Sequence, residues 1–191
     1  MDSEQILKIF KDTGALLEGH FVLTSGFHSP QYFQCAKVLQ YPKYNHMLAS
    51  AIADKFRKNN IDVVITPAVG GIVLGTEVGR LLNARTIFAE RENGVMKLRR
   101  GFELKQSENV LVCEDVVTTG GSVFEVIKLV KENNATLAGV GFIVDRSNGN
   151  VDFGTDQFSV IRMDVIKFAE DNIPDWLAKI PVSKPGSRSL K

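Results

Sequence analysis

The chain has 191 residues, 44% hydrophobic and 24% charged, which fits one globular domain of ordinary size and excludes wholesale disorder. Lys and Arg number 23 against 22 Asp and Glu, a net charge of +1, so no broad positive field gathers nucleic acid or an anionic membrane. Any anion must be held by a local site. The two cysteines, Cys35 and Cys113, lie in apolar stretches and form neither a disulfide framework nor a Cys-x-x-Cys metal site. No basic and then apolar leader opens the chain, and nowhere do about 18 apolar residues run together. The expected setting is a reducing cytosol, with no membrane or nucleic-acid partner.

In chain order, Ser3 is placed to cap a helix with Ile6, Leu7 and Phe10 on one side, closed by Gly14. Residues 21–23 and 32–35 read as extended runs joined by the turn-rich Ser25-Gly26-Phe27-His28-Ser29-Pro30, a small antiparallel unit. Residues 44–58 read as a helix that runs out at Asn59-Asn60. A strand and helix rhythm then begins, with strands at 63–65, 86–89, 110–113, 140–144 and 158–161 and helices at 72–82 and 123–132. Short apolar runs without alternation, separated by helices, predict a parallel sheet covered on both faces. Such sheets bind ligands at the carboxyl ends of their strands.

Asn93-Gly94 lies between extended segments 87–91 and 96–104, which predicts a tight turn and a projecting β-ribbon over about residues 90–104. It concentrates Arg91, Lys97, Arg99 and Arg100. Two readings stand: an edge made basic against aggregation, or a flap that meets an anion. The tail, residues 183–191, mixes Pro, Gly, Ser and basic residues and is expected to fray.

Residues 109–125 read N-V-L-V-C-E-D-V-V-T-T-G-G-S-V-F-E: a buried strand, two carboxylates, two apolar residues, and a hydroxyl- and glycine-rich turn opening a helix. Thr118, Thr119, Gly120, Gly121 and Ser122 can present amides and hydroxyls to one phosphate at a helix N-terminus. Glu114 and Asp115, just before that turn, can accept hydrogen bonds from sugar hydroxyls, so a phosphorylated ribose suits the segment. The G-x-x-x-x-G-K-[ST] loop of a P-loop NTPase is absent, and Gly70-Gly71-Ile72-Val73-Leu74-Gly75 has the wrong spacing for a dinucleotide fingerprint.

Residues 110–122 resemble the phosphoribosyl diphosphate (PRPP) signature of the type I phosphoribosyltransferases. Leu23-Thr24-Ser25-Gly26, Ser29-Pro30-x-Tyr32-Phe33, Pro67-Ala68-Val69-Gly70-Gly71-Ile72 and Asp145-Arg146 are similar, in the same order, to motifs of the orotate phosphoribosyltransferases. The resemblance spans roughly residues 15–165. It implies one α/β phosphoribosyltransferase domain over residues 1–191, with a mostly parallel five-stranded sheet flanked by helices. A small N-terminal hood is expected mainly from residues 1–40, with the ribbon as flap. It also implies transfer of a phosphoribosyl group from PRPP to orotate, with Mg2+ held mainly through PRPP and no protein metal site. A transferase for a purine, or a PRPP-sensing regulator on the same fold, are the alternatives.

By the resemblance, residues 114–122, including Val116 and Val117, contact PRPP, with Asp115 and Glu114 catalytic and Thr118 also near orotate. The loop with Val69, Gly70 and Gly71 receives pyrophosphate or, on its residues alone, is a tight strand-helix turn. Arg146 meets the orotate carboxylate, since a planar guanidinium suits it, or on its residues alone pairs with neighbouring Asp145, and Tyr32 and Phe33 cover the base or are plain core. Arg91, Lys97, Arg99 and Arg100 serve PRPP from the flap, Lys97 catalytically, reaching the neighbouring site of a homodimer. Three departures stand out. Thr24 and Gly70 replace residues that are basic in many members, and Glu92 follows Arg91 in a loop with no histidine.

Overall fold

In the computed structural model, which describes residues 2–23, 26–164 and 166–183, Asp2 rather than Ser3 caps the first helix. Its carboxylate accepts from the Gln5 amide at 2.8 Å, so Ser3 opens α1 (Ser3–Asp12) and Ile6 and Phe10 turn to the interior. Gly14, at φ 67°, closes the helix, with the Gly14 amide bonded to Lys11 and the Ala15 amide to Phe10. β1 (Leu16–Val22) and β2 (His28–Phe33) pair antiparallel, Leu16 opposite Phe33 and Val22 opposite His28. The antiparallel unit is present, but both strands begin earlier than the apolar runs suggest. Thr24 and Ser25 lie outside the described residues. A short helix, α2 (Ala36–Leu39), follows.

The chain divides into two compact units, Leu39–Met163 and a smaller one drawn from Met1–Val38 and Asp164–Lys191. In the larger, α3 (Pro42–Phe56) has Pro42 in its first turn, where a missing N–H costs nothing. Next come β3 (Val63–Pro67), α4 (Gly71–Leu82), β4 (Arg85–Glu92), β5 (Val95–Leu98) and β6 (Asn109–Val117). After these come α5 (Gly121–Glu132), β7 (Thr136–Asp145) and β8 (Gln157–Arg162). The sheet runs β5-β4-β3-β6-β7-β8. Five strands are mutually parallel and form the expected core; the sixth, β5, is the antiparallel return of the ribbon.

Both faces of that sheet are covered. Val63, Ile65, Val110 and Val112 pack with Val123, Val126 and Val130 of α5. The alternate residues face the other way: a Cβ on Gly75 of α4 would overlap the Thr66 side chain, and one on Gly141 would overlap Ile52 of α3. Burial on both faces is why the strands show apolar runs rather than alternation. From β3 the chain passes through α4 to β4 on one side, then returns to place β6 on the other side of β3. The strand order therefore reverses between β3 and β6, and the crevice beyond their carboxyl ends is where such sheets bind ligands.

The smaller unit takes back the end of the chain, through α6 (Asp175–Ala178) and β9 (Val182–Ser183). β9 pairs parallel with β1, His28 and Phe168 exchange backbone hydrogen bonds of 2.8 Å, and the Ser29 hydroxyl donates to Ile166 at 2.8 Å. His20 Nε2 lies 2.6 Å from His28 Nδ1, and His20 Nδ1 lies 3.1 Å from the Ile180 carbonyl. Of the expected frayed tail, Ser183 sits in β9, and residues 184–191 lie outside the described residues.

Candidate active site

The loops after β3 and β6 meet. Beyond Pro67, the Ala68 amide donates to Ala89 at 2.7 Å, the Ala68–Val69 peptide is cis, and α4 opens at Gly71. A Cβ on Gly70 would stand 2.6 Å from Asp115 Oδ2, and one on Gly71 would stand 3.3 Å from the Cys113 carbonyl and 3.4 Å from Glu114 Oε1. The acidic pair thus lies over the start of α4, where the helix dipole favours negative charge. Asp115 occupies the space that a side chain at position 70 would claim, so Gly70 is matched to this carboxylate placement. Val69 is 79% exposed at the loop's tip.

Glu114 is 9% exposed and Asp115 is half-buried. Glu114 Oε1 accepts from the Asp115 amide at 3.1 Å, and Asp115 Oδ1 accepts from the Val116 amide at 2.8 Å. Burial raises the Glu114 carboxyl well above the ordinary range, and the Asp115 charge pushes the same way, against a smaller lowering by Arg91. Burial raises Asp115 as well. Burial also pushes the adjacent Cys113 thiol up, which removes it as a nucleophile. The pair is a desolvated site with acceptors for hydroxyl groups, held ready at an energetic cost to the fold.

That cost has a sign. A carboxyl whose folded pKa is raised adds stability that is complete below its unfolded value, about 4.3 for Glu, and lost as pH rises through the folded value. Glu114→Gln removes the penalty of ionising in a desolvated site. The variant is expected to melt above the parent at neutral pH, with a gap that widens as pH is raised from about 4. Thermal melts across pH check this; a variant that melts at or below the parent throughout defeats it.

After β6, Thr118 and Thr119 are exposed, and Gly120, at φ 73° and ψ 2°, turns the chain into α5. Glycine is required there twice over: the left-handed backbone disfavours a side chain, and a Cβ would stand 2.9 Å from Phe153 and 3.0 Å from Val151. No side chain caps α5, so the first amides, from Gly121 and Ser122 onward, face the loop as donors for an anion. Val117 is buried, its carbonyl accepting from the Arg146 amide at 2.7 Å, and Val116 is half-buried.

The ribbon turns at Asn93, φ 52°, and Gly94, φ 83°, the pair of positive values a two-residue hairpin prefers. Its return arm is shorter than the expected 96–104. β5 ends at Leu98, where Arg100, φ 58°, and Gly101, φ 75°, bend the chain away. The basic cluster is neutralised within the ribbon: Lys97 pairs with Glu92 at 2.8 Å, Arg99 with Glu90 at 3.1 Å and Glu92 at 3.2 Å, and Arg100 with Glu90 at 3.1 Å. Arg91 instead reaches α5 and pairs with Glu125 at 2.5 Å. Counting cations along the sequence misses these acidic partners, because pairing across a hairpin depends on register.

Arg146 follows β7 half-buried at the same edge of the sheet. Its neighbour Asp145 pairs with Arg162 at 3.1 Å and accepts from the Ser147 hydroxyl and amide. In the smaller unit, Phe33 is 7% exposed with its ring 4.7 Å from Phe10, and Tyr32 is half-buried with its ring 5.7 Å from Phe21. Adjacent strand residues point to opposite faces, so the two rings do not form one surface.

The parallel sheet thus carries two helix-opening loops that flank a carboxylate pair at its reversal point. Residues 36–172 match the phosphoribosyl transferase domain. The chain is 55% identical over 189 residues to an orotate phosphoribosyltransferase of Chlorobaculum parvum, covering 99% of this chain and 98% of that one. It is 54% identical over 190 residues to one of a Thermoanaerobacter species, covering 100% of both. The chain belongs to the phosphoribosyltransferase family and, within it, to the orotate phosphoribosyltransferases. The solved orotate phosphoribosyltransferase of Aeropyrum pernix shares the fold, with a TM-score of 0.71 at 24% identity over 83% of this chain and 93% of that one. An adenine phosphoribosyltransferase of Thermoanaerobacter pseudethanolicus shares it at 0.62, with 15% identity over 70% and 88%.

Proposed function

We propose that the protein transfers the 5-phosphoribosyl group from PRPP to orotate, forming orotidine 5′-monophosphate and pyrophosphate in the synthesis of UMP. The observation that carries this is the Glu114–Asp115 pair set between two helix-opening loops in a chain matched over its full length to orotate phosphoribosyltransferases. Residues 118–122 hold the 5′-phosphate on the amides of α5, and the carboxylates bind the ribose hydroxyls. Val69, Gly70 and Gly71, opening α4, take the pyrophosphate. A ring nitrogen of orotate forms its bond to C1 of the ribose as the bond from C1 to the pyrophosphate oxygen breaks, and the proton that nitrogen carried passes to the departing pyrophosphate or to water. Positive charge grows on the ring, where Asp115 stabilises it, and negative charge grows on the departing group, where helix amides and flap cations receive it.

Among the described residues no group of three or more His, Cys, Asp or Glu could hold a metal. Mg2+ would enter on the diphosphate of PRPP, whose charge it would neutralise. Arg146 is assigned to the orotate carboxylate, with half-buried Tyr32 as the candidate for the base, Phe33 being core against Phe10. The flap acts in a homodimer on the partner's site, and the protein works in the cytosol. Among the described residues no helix is long and apolar enough to cross a membrane.

The test is a panel of orotate, uracil, adenine, hypoxanthine and guanine, each with PRPP and Mg2+, followed by base consumption and pyrophosphate release. Turnover of orotate alone is expected. Turnover of a purine instead, or PRPP binding with no base consumed, would replace this reading with a purine transferase or a sensor.

A further inference from the structure

Arg146 sits in a turn whose geometry one buried carboxylate controls. Asp145, the last residue of β7, is 4% exposed. Its Oδ1 accepts from the Ser147 amide at 2.9 Å and the Ser147 hydroxyl at 2.6 Å, an Asx turn with Arg146 at its centre. Its Oδ2 accepts from Arg162 Nε, at the end of β8, at 3.1 Å. The backbone on either side is tied as well. The Arg146 amide donates to the carbonyl of Val117, the residue before Thr118, at 2.7 Å, and the Met163 amide donates to the Asp145 carbonyl at 2.8 Å.

We propose that Asp145 is a positioning residue: through its Asx turn it fixes where the Arg146 guanidinium points, and so sets the affinity for orotate. This rests on the assignment of Arg146 to the orotate carboxylate. The logic is one of anchors. The amide of Arg146 is fixed to the strand that leads into the phosphate loop, and Asp145 fixes the residue after it, so the side chain leaves from a backbone with little freedom. A forked guanidinium contact gains most when its direction is set before binding. The Ser147 bonds and the Arg162 pair outweigh burial and hold the Asp145 carboxyl below its ordinary range, so the clamp is charged at working pH. Ser147 and Arg162 therefore support base recognition without touching the base.

The test compares Asp145→Ala, Asp145→Asn, Ser147→Ala and Arg146→Ala by kcat, by KM for each substrate and by melting temperature. Asp145→Ala is expected to raise the orotate KM roughly ten- to hundredfold, the loss typical of hydrogen bonds to a charged group, with the PRPP KM within about threefold. Asp145→Asn keeps an oxygen for the turn and is expected to recover most of that loss. Should Asp145→Ala fail to fold, Ser147→Ala carries the same selective rise at smaller size, about threefold. Equal changes in both KM values, or a lower melting temperature with the orotate KM unmoved, overturn the proposal as a purely structural role. An unchanged orotate KM in Arg146→Ala fails the assignment of Arg146 itself, and the proposal falls with it.

Discussion

Asp115→Asn is expected to lower kcat/KM roughly hundred- to thousandfold, the scale seen when one preorganised charge-stabilising group is removed, without lowering the melting temperature. The asparagine has the same shape, keeps an oxygen for the Val116 amide and adds no atom against Gly70. What it loses is the negative charge that the proposed mechanism sets beside the ribose, which matters most as positive charge builds on the ring. The parent carboxylate is costly when ionised, since burial raises its pKa, so its loss leaves the resting fold no worse. Steady-state kinetics beside a thermal melt check both halves. Near-normal kcat/KM would remove Asp115 from the mechanism, and a collapsed melt would make it a structural residue.

Mixing two inactive variants, Asp115→Asn and Lys97→Ala, is expected to restore about a quarter of the parent activity if the flap serves the partner's site in a homodimer. Random exchange makes half the dimers mixed, and each mixed dimer has one site with both residues intact. The flap is suited to this: Lys97 is exposed and held to Glu92 in the same hairpin at 2.8 Å, an exposed ion pair of small net value. A diphosphate can draw the lysine away at little cost, and closure over it would exclude water from the reacting centre. Subunit exchange is verified by mass spectrometry of differently tagged chains. Exchange without recovered activity would place Lys97 in its own subunit's site or on the solvent side alone.

What could be read from the sequence was local. The strand-helix rhythm after residue 60, the Asn93-Gly94 turn, the buried strand ending in Glu114 and Asp115, and the Gly120 turn into α5 each lie within about a dozen residues. Side-chain period and turn chemistry act over that range. The tertiary structure decided what depends on strand order and register. It set Gly70 against Asp115, 45 positions apart, because β3 and β6 are neighbours at the sheet's reversal. It brought Arg91 to Glu125 of α5, tied Asp145 to Arg162 by pairing β7 with β8, and returned residues 166–183 to the first strands. No local pattern encodes these contacts, since each is selected only when the whole sheet closes on its buried faces and brings distant charges and backbones within reach.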